Sequence, residues 1–145
     1  MSPSKGTLGV DRGYVIPIGG AEDKIKNPVI LQRFADLAGG PDGSIVVIPT
    51  ASEREETGPR YVQLFEEMGV GQAVSTPLQE RADCERADYL EKLEKATGIF
   101  LTGGNQLRLS TILGGTSVAQ VIRHRNADGI PVAGTSAGAA VISEH

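Results

Sequence analysis

Short apolar runs rich in β-branched residues alternate along this chain with amphipathic helical stripes, and no other feature constrains the fold as tightly. The runs Tyr14–Ile18, Ile45–Ile48, Ala73–Thr76, Gly98–Leu101 and Ile130–Ala133 are predicted strands. Between them Ile30, Phe34, Leu37 and Ala38 fall on one helical stripe. Tyr61, Leu64, Phe65 and Met68 mark a second, and Val118, Val121 and Ile122 a later one. Asn27-Pro28 reads as N-cap and first helical residue, and Gly39 and Gly69 as stops. A helix over Asp88–Ala96 should turn Leu90 and Leu93 inward and let Glu91 meet Lys95 one turn on. Strands separated by helices, with no run of hairpins, predict an α/β fold: a mostly parallel sheet with helices on both faces and right-handed crossovers. No repeat, low-complexity tract or linker divides the chain, so residues 1–145 are expected to form one domain.

In such sheets ligands bind outside the carboxyl ends of the strands. The loops that follow the predicted strands are the unusual parts of this sequence: Gly19-Gly20-Ala21-Glu22-Asp23-Lys24, Pro49-Thr50-Ala51-Ser52-Glu53, Thr102-Gly103-Gly104-Asn105-Gln106 and Gly134-Thr135-Ser136-Ala137-Gly138. The last is a G-x-S-x-G pattern after an apolar strand and before small residues, the setting of a nucleophile elbow. It makes Ser136 the candidate nucleophile. Gly134 and Gly138 are expected where a Cβ would collide as the chain folds back.

Acyl transfer by serine also needs a base, a group to orient it, and donors for the oxyanion. The backbone N–H groups of Ala137 and Gly104 are the candidate donors. Asn105 and Gln106 place amides at the mouth of the same loop, where they can contact a peptide or carboxylate; helix capping is the rival role for Asn105. Glu22 and Asp23 are read as solvated loop charge that could also attract a cationic substrate group. Neither phosphate-binding glycine pattern, G-x-G-x-x-G or G-x-x-x-x-G-K-[ST], is present. Neither histidine suits the base. His145 lies nine residues beyond Ser136 along a predicted helix, about 13 Å away at ~1.5 Å per residue, and His124 closes a crossover helix near the amino ends of the strands, where imidazolium complements the helix dipole.

Composition removes several function classes. Eighteen acidic against fourteen basic residues give a net charge of -4, which opposes the phosphate attraction behind non-specific nucleic-acid binding. No segment approaches the ~20 apolar residues of a membrane span, and the first residues lack a signal-peptide core. A cytoplasmic enzyme with no nucleic-acid or membrane partner is expected. The single cysteine, Cys84, is read as a bystander thiol. Triad chemistry needs no cofactor, and Asp, Glu and His do not cluster at metal-ligand spacing, so no cofactor or metal is expected.

The loops Gly19-Gly20-Ala21-Glu22-Asp23-Lys24, Phe100-Leu101-Thr102-Gly103-Gly104-Asn105-Gln106-Leu107 and Gly134-Thr135-Ser136-Ala137-Gly138-Ala139-Ala140 closely resemble those of the cyanophycinase family. The resemblance implies a serine exopeptidase related to aspartyl dipeptidases of the peptidase E type, on a sheet like that of class I glutamine amidotransferases, flavodoxin-like in its winding. It implies as substrate cyanophycin, an aspartate polymer with arginine on its β-carboxyls, released as β-Asp-Arg dipeptides. It carries the nucleophile to Ser136, the oxyanion donors to Gly104 and Ala137, and a substrate amide to Gln106. It places the histidine and its acidic partner downstream of the serine, together with further strands and the residues that recognise arginine. On that basis the chain is expected to be the amino-terminal part of a longer enzyme, inactive alone, and poorly soluble or assembled with another copy. A homodimer is the assembly common in that family. Two alternatives stay open: an aspartyl dipeptidase acting on short peptides, and a non-catalytic binding module without the downstream histidine.

Overall fold

Ile45 and Val47 point to one side of their strand and Val46 and Ile48 to the other, and all four are at most 1% exposed. Successive residues of an extended chain face opposite ways, so a strand apolar on both sides must be covered on both. The computed structural model, which describes residues 15–17, 28–52, 55–102 and 105–134, shows that arrangement. Five strands, β1 (Val15–Pro17), β2 (Ser44–Ile48), β3 (Gln72–Ser75), β4 (Gly98–Leu101) and β5 (Val132–Gly134), form one sheet in the order β1-β5-β4-β2-β3. Every pairing is parallel. The helices are α1 (Pro28–Leu37), α2 (Thr57–Glu67), α3 (Ala87–Lys95), α4 (Gln106–Leu113) and α5 (Ser117–Ala127), with short 3-10 helices at Gly40–Asp42 and Arg81–Glu85.

Helices α1 and α2 cover one face, packing Leu31, Phe34, Tyr61 and Phe65 onto Ile45, Val47, Phe100 and Ala133. Helices α3, α4 and α5 cover the other, where Leu93, Leu109, Leu113 and Ile122 meet Val46, Ile48, Ile99, Leu101 and Val132. The α/β class expected from the sequence is therefore the observed one. Glu91 and Lys95 do pair, at 3.2 Å.

Helices α2 and α5 end alike. Gly69 and Gly129 take φ values of 97° and 110°, which only glycine adopts without strain. The following residues turn back on the helix, Val70 N donating to Phe65 O and Ile130 N to Arg125 O, in the Schellman arrangement. This corrects the boundary of the last predicted strand. Ile130 closes α5 instead of opening β5, Pro131 has no N–H to give to a ladder, and pairing begins at Val132. The strand predicted over Ala73–Thr76 begins one residue earlier, at Gln72, and Thr76 N still donates to Val47 O at 2.9 Å. The 3-10 helix at Arg81–Glu85 has no apolar period to announce it; it contacts α3, α4 and α5 and seats Cys84 among them. The expected Asn27 cap, Tyr14 and Ile18 at the ends of the first strand, and the loop from Gly19 to Lys24 lie outside the described residues.

Candidate active site

The carboxyl edge of the sheet is where the winding reverses. Strand β2 sends its connection through α2 on one face, whereas its neighbour β4 sends its own through α4 and α5 on the other. Adjacent strands whose connections part to opposite faces leave a crevice between them.

Two hydrogen bonds tie the sides of that crevice together. Asn105 N, in the loop after β4, donates to Ala51 O in the loop after β2 at 2.9 Å. Arg108 Nε, from the first turn of α4, donates to Thr50 O at 2.8 Å. Asn105 also caps α4, its Oδ1 accepting from Arg108 N at 3.0 Å, so the capping role is the one observed for its oxygen. Gln106 is the first residue of α4.

Three threonines stand where strands run out: Thr50 after β2, Thr76 after β3 and Thr102 after β4. They are 3%, 0% and 1% exposed, and their hydroxyls have no hydrogen-bond partner among the described residues. Leaving a buried hydroxyl unpaired costs about 1–3 kcal/mol. Polar groups tolerated at that cost are concentrated here at the edge that faces ligands. Beside them opens a cleft of about 290 Å³, with Pro49, Thr50, Glu55, Leu78, Gln79 and Arg108 in its wall.

Gly134 ends β5 between Pro17 of β1 and Leu101 of β4. A Cβ at Gly134 would lie 3.0 Å from both Leu101 Cβ and Leu101 O. The neighbouring strand thus leaves little room for a side chain at this position. The register sets side by side the two strand ends that lead to Ser136 and to Gly104. Ser136, Ala137 and Gly104 themselves, with Gly138, His145 and the side chain of Gln106, lie outside the described residues.

His124 sits in the last turn of α5, 71% exposed, with Nε2 3.5 Å from Asp128 Oδ2. Its helix runs back toward the amino ends of the strands, so it stands at the edge opposite the crevice. Cys84 is fully buried, its Sγ donating to Ile112 O at 3.5 Å, and burial pushes its thiol pKa up. A thiol held neutral is a poor nucleophile. Among the described residues no three His, Cys, Asp or Glu side chains gather as a metal site, and no helix is long and apolar enough to cross a membrane.

The model of Peptidase family S51 matches residues 15–145. The chain belongs to that family. The cyanophycinase of Geminocystis herdmanii (strain PCC 6308) is 48% identical over 137 residues, 92% of this chain and 50% of the relative. That of Trichormus variabilis (strain ATCC 29413 / PCC 7937) is 45% identical over 133 residues, 90% of this chain and 45% of the relative. The chain spans about half the length of the curated relatives it matches. Among solved structures, a peptidase from an acI-B1 Actinobacterium superposes with a TM-score of 0.66 at 24% identity, over 87% of this chain and 55% of that one. That likeness supports the fold.

Arg108 and Glu55 were not singled out from the sequence. A signal for Arg108 was nonetheless present. A cation in the first turn of a helix opposes the helix dipole, so its place two residues after Gln106 needs a tertiary reason, and the carbonyl of Thr50 supplies one. Glu55 carries no comparable local signal.

Proposed function

We propose that this S51 chain carries the nucleophile half of a serine exopeptidase that hydrolyses cyanophycin to β-Asp-Arg dipeptides. The observation that carries the reading is the 48% identity to a cyanophycinase across 92% of the chain, beside a family match over residues 15–145 that includes the G-x-S-x-G segment at residues 134–138. In this reading Ser136 Oγ attacks an aspartyl carbonyl of the polymer backbone. Its proton passes to a base other than His124, and the oxyanion accepts hydrogen bonds from the N–H groups of Ala137 and Gly104. Collapse of the tetrahedral species expels the amine and leaves an acyl-serine, which water then cleaves. Gln106 and Asn105 supply amides to the bound peptide. The glycine at 134 is compatible with the same reading, since it ends a strand packed closely against Leu101.

The test is cyanophycin hydrolysis by the complete gene product, with the released dipeptides identified by mass. Ser136→Ala should lower kcat by three or more powers of ten, about the scale on which triad loss acts, while binding survives. Retained hydrolysis by Ser136→Ala overturns the nucleophile assignment. Cleavage of Asp-Xaa dipeptides but not of the polymer overturns the substrate.

A further inference from the structure

The loop that leaves β4 is pinned on either side of its glycine pair, and both pins reach the same stretch of chain. Thr102 N donates to Ile48 O at 3.1 Å, which extends the ladder with β2, and three residues on Asn105 N donates to Ala51 O at 2.9 Å. Only Gly103 and Gly104 lie between them in the sequence. Glycine has more backbone freedom than any other residue, so where Gly104 stands depends on how firmly its neighbours are held. Asn105 is held twice, because its Oδ1 also accepts from Arg108 N at 3.0 Å.

Arg108 closes the bracket. Its Nε donates to Thr50 O at 2.8 Å in a part-buried bond, and Thr50 lies between Ile48 and Ala51, whose carbonyls hold Thr102 and Asn105. The first turn of α4 is therefore tied to the segment after β2 by a side chain as well as by backbone. A cation at that end of α4 works against the helix dipole. The residue is badly placed for its own helix and well placed for the bracket.

We propose that Arg108 is a positioning residue, whose bond to Thr50 O fixes the loop after β4 so that the Gly104 N–H is aimed before reaction begins. The proposal rests on the serine-peptidase reading, in which Gly104 and Ala137 donate to the oxyanion. Donors set in advance stabilise developing charge without having to reorient as it forms. A loop free to drift would have to be gathered at that moment, and the barrier would rise. Arg108 contacts neither the substrate nor the reacting atoms in this role. Its contribution is the donor at Nε, and its charge is incidental.

Donor and charge can be separated. Glutamine carries Nε2 as many bonds from the backbone as the arginine Nε, so Arg108→Gln keeps the donor and loses the charge. Arg108→Met keeps the length of the stem and puts a methyl group where the donor was. Both variants of the complete gene product are compared with the unsubstituted protein in cyanophycin hydrolysis and in labelling by a fluorophosphonate. That reagent bonds its phosphorus to Ser136 Oγ with loss of fluoride, its rate senses the oxyanion donors, and its end point counts competent sites. Arg108→Met should lower kcat per labelled site about ten- to a hundredfold and slow labelling by a similar factor, with KM nearly unchanged, as befits a contribution made only in the transition state. Arg108→Gln should recover most of both rates. A merely structural role would reduce the number of labelled sites and leave kcat per site alone. An unchanged kcat per site in Arg108→Met, a loss confined to KM, or an Arg108→Gln as slow as Arg108→Met overturns the proposal. If only Arg108→Gln folds, retained kcat per site supports the role, and a fall of about tenfold or more overturns it. Labelling of Ser136 without cyanophycin hydrolysis would sink the substrate reading, and the labelling rates would still decide the role of Arg108. With neither labelling nor hydrolysis, the nucleophile assignment fails and the proposal falls with it.

Discussion

The two faces of the sheet are filled by different means. All three phenylalanines of the chain, Phe34, Phe65 and Phe100, lie under α1 and α2 with Tyr61. Phe100 stands 4.9 Å from Tyr61 and 5.2 Å from Phe65, centroid to centroid. The opposite face holds mostly aliphatic side chains with Cys84 and a single buried ring, Tyr89, under three helices and a 3-10 turn. More helix ends meet there, and their backbone groups need partners. Side chains provide them: Arg81 Nη1 donates to Thr111 O at 2.8 Å, Arg125 Nη2 to Ala96 O at 2.7 Å, and Thr116 Oγ1 to Leu113 O at 2.6 Å. Rings stabilise the face that only supports the sheet. Hydrogen bonds order the face whose α4 brings Asn105 and Arg108 to the crevice.

If that contrast is real, truncation should hurt the ring face most. Phe100→Ala removes the ring shared by three aromatic contacts and should cost about 3–5 kcal/mol, read from denaturant unfolding of the complete gene product. Leu93→Ala is the counterpart on the other face, a fully buried residue on the inner side of α3. It should fall in the lower part of the ~2–5 kcal/mol range for aliphatic truncation. Equal costs at the two sites would break the comparison. Gly98→Ala probes the ring face from the opposite direction, since its new Cβ would lie 2.6 Å from Ala38 Cβ and 3.2 Å from Phe34 Cζ. Overpacking of this kind costs about 1–3 kcal/mol. Thr116→Val keeps shape and removes the hydroxyl that donates to Leu113 O and accepts from Ala119 N. Its cost should be about 1 kcal/mol, with Thr116→Ser recovering most of it.

Much of this architecture was legible because the two periods are unambiguous where the core is dense. Ile45–Ile48 and Gly98–Leu101 are apolar on both sides, and a strand with two buried faces can only be interior to a covered sheet. The stripes through Phe34 and Phe65 needed no tertiary knowledge, and Gly39 and Gly69 marked their ends. What escaped was set by contacts distant in sequence. Ile130 looks like strand, but the carbonyl of Arg125 takes its N–H. The 3-10 helix around Cys84 exists because α3, α4 and α5 enclose it. In the candidate site the motif residues could be named from spacing alone, whereas Arg108 acquires a role only when the sheet order brings Thr50 beside it. Sequence spacing finds groups that share a loop; it is blind to a wall assembled from three.

The smallest expected effect is also the most specific to the hydrogen-bonded face. Glu85, at the end of the 3-10 helix, accepts from both the hydroxyl and the backbone N–H of Ser117 at the start of α5. Those donors, the hydroxyl first, hold its carboxyl below the ordinary carboxylate range. A group whose pKa is depressed by folding stabilises the fold fully above its unfolded value, and that contribution is lost as pH falls through the folded value. Glu85→Gln cannot titrate. At neutral pH the unsubstituted protein should therefore melt slightly higher than the variant, and the two melting curves should converge as pH drops below the carboxylate range. The carboxylate is solvent-exposed, so salt should shrink the neutral-pH difference. A gap that stays constant into acid would mean that Glu85 acts through its shape and not its charge, and the contrast between the faces would then rest on neutral hydrogen bonds alone.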